Sequence, residues 1–286
     1  MSPKQLAGKF GGIFPAYIWF IVLLALPLVY IVVISFFTTS LTGWGVAWIF
    51  TLKNYIRIID PLYISIFAKS FVTALYSTVI TFLLGFPFAY AVTTLPKKWQ
   101  GRILFLVVLP FWTNAMVRTY GWLILLQGKG LINILLTTLG IIEKPLTMLY
   151  TGGAVLAGTI YILLPFMILP VYNSLEKIDV SLIEASRDLG ANKAQTFFTV
   201  ILRQSLPGIM SGCSLVFIPS IGMFYISDIL GGANVMLLGN LIRNQFITAH
   251  NWPFGAALSV VMTILAVILL CFYKRASGGE RVEMFV

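Results

Sequence analysis

Few residues in this sequence can do polar chemistry, and most of those sit outside its apolar runs. Among the nine acids, Asp228 alone falls well inside an apolar stretch. A carboxylate placed in a membrane is costly, so it marks a functional site by default. Phe224 and Tyr225 precede it by four and three residues, which on a continuous helix puts both rings on its side. A carboxylate beside two ring faces can stop an alkylammonium ion through charge pairing and cation–π attraction. Counted from Pro207 at about 1.5 Å per residue, Asp228 stands roughly 30 Å along its helix. Arg118 offers a competing role, because a guanidinium at similar depth in another helix can pair with Asp228 and, with it, form an outer gate. Trp112, Thr113, Asn114 and Tyr161 are further pathway candidates, although residues of these types commonly serve as packing and interhelical glue.

A second polar stretch, SLIEASRDLG at 181–190, reads differently. Ser181 followed by Glu184 fits a capping box that starts a helix at Leu182. Gly190 suits the left-handed stop, so the helix has about two turns and needs something to pack against. Leu182, Ile183 and Leu189 supply an apolar side, with Glu184, Arg187 and Asp188 as a polar rim. A second helix restarts at Lys193 and returns toward Pro207, completing a short protruding knob. The plainer alternative is an amphipathic loop lying on lipid headgroups.

Catalytic groups are missing. The one histidine, His250, has no nucleophile near it in sequence. Gly128-Lys129-Gly130 lacks the spacing and the following Ser or Thr of a phosphate loop, so no ATP hydrolysis by this chain itself is expected. Cys213 and Cys271 fit packing better than metal ligation, and neither a metal nor another cofactor is expected here.

The elements that must position these groups follow from composition. Hydrophobic residues make up 59% of the 286 and charged ones only 10%, against roughly 25% charged in soluble domains. That implies an all-α membrane protein. Six runs approach the about 20 apolar residues a span needs, near 13–37, 66–95, 103–126, 152–172, 209–230 and 254–273. All belong to one domain, 1–286, with the polar loop at about 173–208 between the fourth and fifth spans. The first run is too long for a signal-peptide core and no small-residue cleavage site follows it, so it reads as an uncleaved span. Prolines inside the spans, Pro87, Pro165, Pro170 and Pro219 among them, favour kinks.

The +10 net charge records topology better than nucleic-acid binding, since the bases lie between apolar runs. Lys4, Lys9, Lys97, Lys98, Arg102, Lys177, Arg187, Lys193, Arg203, Lys274, Arg275 and Arg281 fall on one side of this map. Lys53, Arg57, Lys129, Lys144 and Arg243 fall on the other. The positive-inside rule then makes both termini and the 173–208 loop cytoplasmic.

Glu184-Ala185-Ser186, three residues, Gly190, nine more, then Val200-Ile201-Leu202 resembles the EAA loop of bacterial ABC-importer permeases, E-A-A-x3-G-x9-I-x-L-P. Ser186, Val200 and Arg203 depart from that pattern, the last at the proline position. The wider similarity, from about Asn54 to Phe272, is to spermidine/putrescine importer permeases and includes LPFWTNAMVRTYGW and FYISDILGG. The resemblance implies that the short helix docks into a groove of an ATPase subunit, making Ser181, Leu182, Glu184, Ala185, Arg187, Asp188 and Gly190 coupling residues. It further implies a multi-pass place in a bacterial inner membrane, in contact with lipid. The implied partners are a homologous second permease, ATP-binding subunits that carry ATP and Mg, and a periplasmic substrate-binding protein. A self-contained secondary transporter or channel for a small organic cation is the alternative; it would be expected to show inverted repeats or several coupling acids within the spans.

Overall fold

The computed structural model describes residues 3–40 and 45–276. Arg281 and the side chains of Lys4, Lys9 and Lys274, used above to orient the chain, lie outside what is described. In chain order the elements are α1 (Pro3–Ile34), strands β1 (Phe37–Thr39) and β2 (Val46–Phe50), α2 (Lys53–Ile58), α3 (Pro61–Thr93), α4 (Lys97–Val108), α5 (Ala115–Leu126) and α6 (Leu131–Thr138). There follow α7 (Gly152–Glu176), α8 (Val180–Asp188), α9 (Lys193–Thr196), α10 (Leu202–Gln204), α11 (Leu206–Gly222), α12 (Phe224–Ile226), α13 (Leu238–Ile247) and α14 (Trp252–Ala276).

Four helical segments among the described residues are long and apolar enough to cross a membrane: Pro61–Thr93, Ala115–Thr138, Gly152–Glu176 and Trp252–Tyr273. A fifth is added if the pair Lys193–Gln204 and Leu206–Gly222, bent by 63°, counts as one. Six spans were expected. Of the first, near 13–37, the side chains before Trp19 lie outside what is described, and its described part, Trp19–Ile34, is helical and apolar. The run at 103–126 divides where Pro110 and a 3-10 turn, Leu109–Trp112, end α4. Asn114 then caps α5 by accepting a 2.8 Å bond from the Met116 amide.

Two compact units divide the chain, residues 1–64 with 241–265, and 65–240 with 266–286. In the second unit α7 is the central helix, with buried residues from Ala154 to Leu175. It packs against α11 through small residues: a Cβ at Gly208 would collide with Ser174 and the Pro170 carbonyl, and one at Gly212 would fall 2.7 Å from the Met167 sulfur. Helices separated by lipid gain no hydrophobic drive between themselves, so such close backbone approach supplies the contact. Phe86, Leu163, Met167, Val171, Ile209 and Val216 fill the core between α3, α7 and α11.

The first unit contains what an all-α reading missed. β1 and β2 pair antiparallel, Thr38 opposite Ala47 and Thr39 opposite Val46, with an irregularity beside Phe37. Asn54 fastens this hairpin by donating to the Ser35 and Phe37 carbonyls, both at 2.9 Å. Thr39 donates to Asn251 at 2.6 Å.

Candidate functional site

The knob begins at α8. Its N-cap is Asp179, whose carboxylate accepts from the Ser181 amide at 2.9 Å, so the helix starts at Val180 and the expected Ser181–Glu184 capping box is not formed. Aspartate caps as well as serine and adds a negative charge at the positive end of the helix. Those hydrogen bonds from Ser181 hold the Asp179 carboxyl below its usual pKa. A true capping box stands one helix later, where Asn192 accepts from Gln195 and the Gln195 side chain accepts from Asn192 in return.

Gly190 does stop α8. It sits at φ +86°, its amide reaches the Arg187 carbonyl and the Ala191 amide reaches back to Ser186, the paired bonds of a Schellman stop. The three apolar residues expected on one side divide. Ile183 turns inward onto the α3–α7–α11 core, whereas Leu182 is 44% and Leu189 89% exposed. Positions seven apart share a face and Ile183 lies about 100° round from Leu182, which explains the split. Ser186 turns inward too and shares a 3.1 Å hydrogen bond with buried Thr196. Glu184, Ala185, Arg187 and Asp188 are exposed. Beyond α9 a π-helical turn, Phe197–Ile201, leads into α10. The 63° bend falls at Ser205, and Pro207 sits in the first turn of α11, where its missing amide costs nothing. Arg203, at the proline position of the EAA pattern, is exposed and need not make the turn.

The acid within the apolar run lies on a broken helix. The continuous 209–230 helix, and the 30 Å measured along it, give way to α11 ending at Gly222, α12, a π-helical turn at Ser227–Gly231 and a 3-10 turn. Pro219 contributes no amide to the last turn of α11, and Gly239 packs directly on the Gly222 carbonyl at the break. Asp228 therefore stands in a π-helical turn, the local form often found at functional positions.

Asn240 ties this break together and was missed by the sequence reading. Buried at 3% exposure, it donates to the Asp228 carboxylate and to the Phe224 carbonyl at 3.1 Å, and accepts from the Leu237 amide at 3.2 Å. The only hint in sequence is the glycine-punctuated stretch LGGANVMLLGN at 230–240. Ile226 and Leu230 are fully buried and sit against Gly158 of α7, so the broken segment rests on a rigid floor. Tyr225 and Tyr161 both pack on that cluster, and Tyr161 meets Trp122 edge-on at 5.6 Å. Phe224 and Tyr225 touch edge-to-face at 6.2 Å.

Arg118 lies on α5, which packs against the broken segment. Its guanidinium stands 5.0 Å over the Phe111 ring, its Nε is buried without a hydrogen-bond partner, and it forms no ion pair among the described residues. The structure thus joins Asp228 to Asn240 directly and packs the helix that carries Arg118 against their segment. Trp112, 78% exposed, meets Phe105 at an edge, and Asn114, also exposed, caps α5.

An exposed coupling-type helix joined through α11 to a broken intramembrane helix is an arrangement suited to transport, and comparison with known proteins agrees. Residues 62–277 match the model of the family described as binding-protein-dependent transport system inner membrane component. The chain belongs to this family. It is 45% identical over 268 residues to the spermidine/putrescine transport system permease protein PotB of Escherichia coli K12, covering 93% of this chain and 97% of that one. With the protein of the same name from Haemophilus influenzae it shares 43% over 285 residues, 98% and 99% of the two chains. The permease also shares its fold with a chain from the crystal structure of a bacterial alginate ABC transporter bound to a periplasmic protein carrying an alginate pentasaccharide. That match has a TM-score of 0.77 at 14% identity, over 96% of this chain and 95% of that one. A chain of the MetNI methionine ABC transporter follows at TM-score 0.53 and 18% identity, over 78% and 100%. The permease is a multi-pass protein of the inner membrane.

Proposed function

We propose that this permease forms half of the translocation path of an ATP-driven importer for polyamines of the spermidine and putrescine type. The observation that carries the substrate class is the 45% identity, over nearly the whole chain, to relatives named for spermidine and putrescine. The second half of the path comes from a homologous permease, ATP and Mg are bound by separate ATPase subunits, and a periplasmic protein delivers substrate. Both termini and the knob face the cytoplasm.

On this reading α8 docks in the ATPase through its exposed Leu182, Leu189 and charged rim. ATPase closure pushes the knob, and Ile183 and the Ser186–Thr196 hydrogen bond pass the displacement into the bent pair that begins at α9. α11 is held to α7 at Gly208 and Gly212 and ends at the broken segment that carries Asp228. The carboxylate, with the Tyr225 ring nearby, receives an ammonium group of the polyamine.

Reconstitution in vesicles tests the energy source. Polyamine uptake should require the second permease, the ATPase and ATP together, and the chain alone should move nothing under an ion gradient. Gradient-driven uptake by the chain alone would overturn the proposal in favour of a secondary transporter.

A further inference from the structure

A cavity among the described residues is not absorbed by this function. It lies within the first unit, has a volume of about 600 Å³, and is walled by Leu28, Ile31 and Val32 of α1, by Phe36, and by Val260 and Ile264 of α14. Volumes of about 300–1,000 Å³ are usual for small-ligand pockets. Three hydroxyls also border it, and each is already spent on its own chain. Tyr55 bonds Ser35 at 2.6 Å, Ser259 donates to the Gly255 carbonyl at 2.9 Å, and Thr263 donates to the Ser259 carbonyl at 2.8 Å. The cavity therefore offers no free hydroxyl donor, and apart from these three oxygens its lining is hydrocarbon, which suits an apolar occupant better than a polar one.

Depth says what can fill it. Ser259 to Ile264 lie roughly 10–18 Å along α14 from its start at Trp252, at about 1.5 Å per residue. That matches one leaflet of a hydrocarbon core about 30 Å thick. Leu52 also lines it, and the next residue in the chain, Lys53, is exposed at the start of α2. Arg57, one turn on, is instead engaged by the rings of Phe254 at 4.4 Å and Tyr63 at 5.5 Å. Trp48 on the neighbouring hairpin is 69% exposed, the type of residue that settles at the headgroup level. Helices are about 10–12 Å across with their side chains, too wide to enter a space of this size.

We infer that this cavity is a phospholipid site, with one acyl chain inserted between α1 and α14 and the lipid phosphate held at Lys53. The leaflet is the outer one on the topology proposed above; the site itself does not depend on the substrate. The bound chain fills a space that hydrocarbon alone suits and fixes the spacing of α1 and α14 in the first unit.

The test uses the assembled transporter in vesicles of phosphatidylethanolamine and phosphatidylglycerol, with a trace of phosphatidylglycerol carrying a photoactivatable acyl chain. Peptide mapping after illumination should find label concentrated at 28–36 and 259–264. Val260→Trp, which fills the cavity, should abolish that label while leaving label at the exposed Leu83 and Leu84 of α3 unchanged. Lys53→Glu, which leaves the cavity walls intact, should weaken it by repelling the phosphate. Equal labelling of the cavity and of Leu83 would mean ordinary bilayer contact and overturn the site, as would labelling indifferent to both variants. Label present on the isolated chain but absent from the assembled transporter would give the cavity to the second permease instead. A failure of polyamine uptake would leave these readings intact.

Discussion

At the scale of single residues, Asp228 and Asn240 should behave differently when changed. Asp228→Asn keeps the shape at the break but removes the charge proposed to receive an ammonium group, so polyamine uptake should fall severely with little change in thermal stability. Because Arg118 is parked over Phe111 and forms no ion pair among the described residues, adding Arg118→Gln should not rescue this variant. Rescue would instead reveal an Arg118–Asp228 pair in some other conformation and remove the carboxylate from the substrate role. Asn240→Ala deprives the Phe224 carbonyl and the Leu237 amide of a partner as well as the carboxylate. Buried groups left unsatisfied cost about 1–3 kcal/mol each, so this variant should lose both stability and uptake. Thermal melts and vesicle uptake on the same preparations separate the two patterns. Asp228 was legible in the sequence because an acid in an apolar run is conspicuous. Asn240 was not, because its importance comes from three partners that only the fold brings to it.

Among elements, α8 shows how much of a helix terminus can be read in advance. Gly190 announced its own left-handed stop, since few other residues tolerate φ near +86°. The start was misjudged because three candidate caps, Asp179, Ser181 and Asn192, lie within fourteen positions and a capping box can be drawn on the wrong one. The broken helices were harder. A proline and a glycine in an apolar run license a kink, but whether the chain resumes depends on partners such as Asn240 and Gly239 arriving from the next helix. The β-hairpin was overlooked because its strands, Phe37–Thr39 and Val46–Phe50, are too short to show an alternating period and lie at or beyond the end of the expected first span.

The stop and the docking face of α8 can be tested apart. Gly190→Val places a β-branched residue in the left-handed region at a cost of about 1–2 kcal/mol and should weaken ATPase co-purification by loosening the end of α8. Leu189→Asp leaves the stop intact and puts a charge on the most exposed apolar residue of the knob, so it should weaken the same association without altering stability. Normal ATPase binding by both variants would return the knob to the role of a headgroup-bound loop. The Asp179 cap adds a pH expectation. Its carboxyl is held below the ordinary value, so its contribution is complete above the unfolded pKa of about 3.9 and fades only as pH falls through the lower folded value. ATPase association should therefore show no Asp179-dependent change from neutral pH down to mildly acid pH, which a titration of Asp179→Asn against the parent protein checks.

Across the whole molecule the apolar segments are buried very unequally. Half of the most apolar stretch of α7 is buried inside this chain, but only 17% of that in the Ala115–Thr138 segment. Lipid covers exposed aliphatic surface at no cost, so a low figure alone does not demand a protein partner. The polar content of this surface does. Gln127 lies exposed within that segment, and exposed Trp112, Thr113 and Asn114 lead into it. Polar groups facing hydrocarbon are costly, whereas a second permease or a water-lined path between two permeases accommodates them. Binding that favours the folded chain raises its apparent stability with the logarithm of partner concentration above its Kd. The purified chain should therefore melt at a distinctly lower temperature in lipid nanodiscs than it does after assembly with the second permease. Cysteine labelling at position 117 or 120, both exposed on α5, should also become slower on assembly. If the melting temperature and the labelling rate are the same with and without the partner, the α5 face is a lipid surface, and the shared path must be sought on another helix.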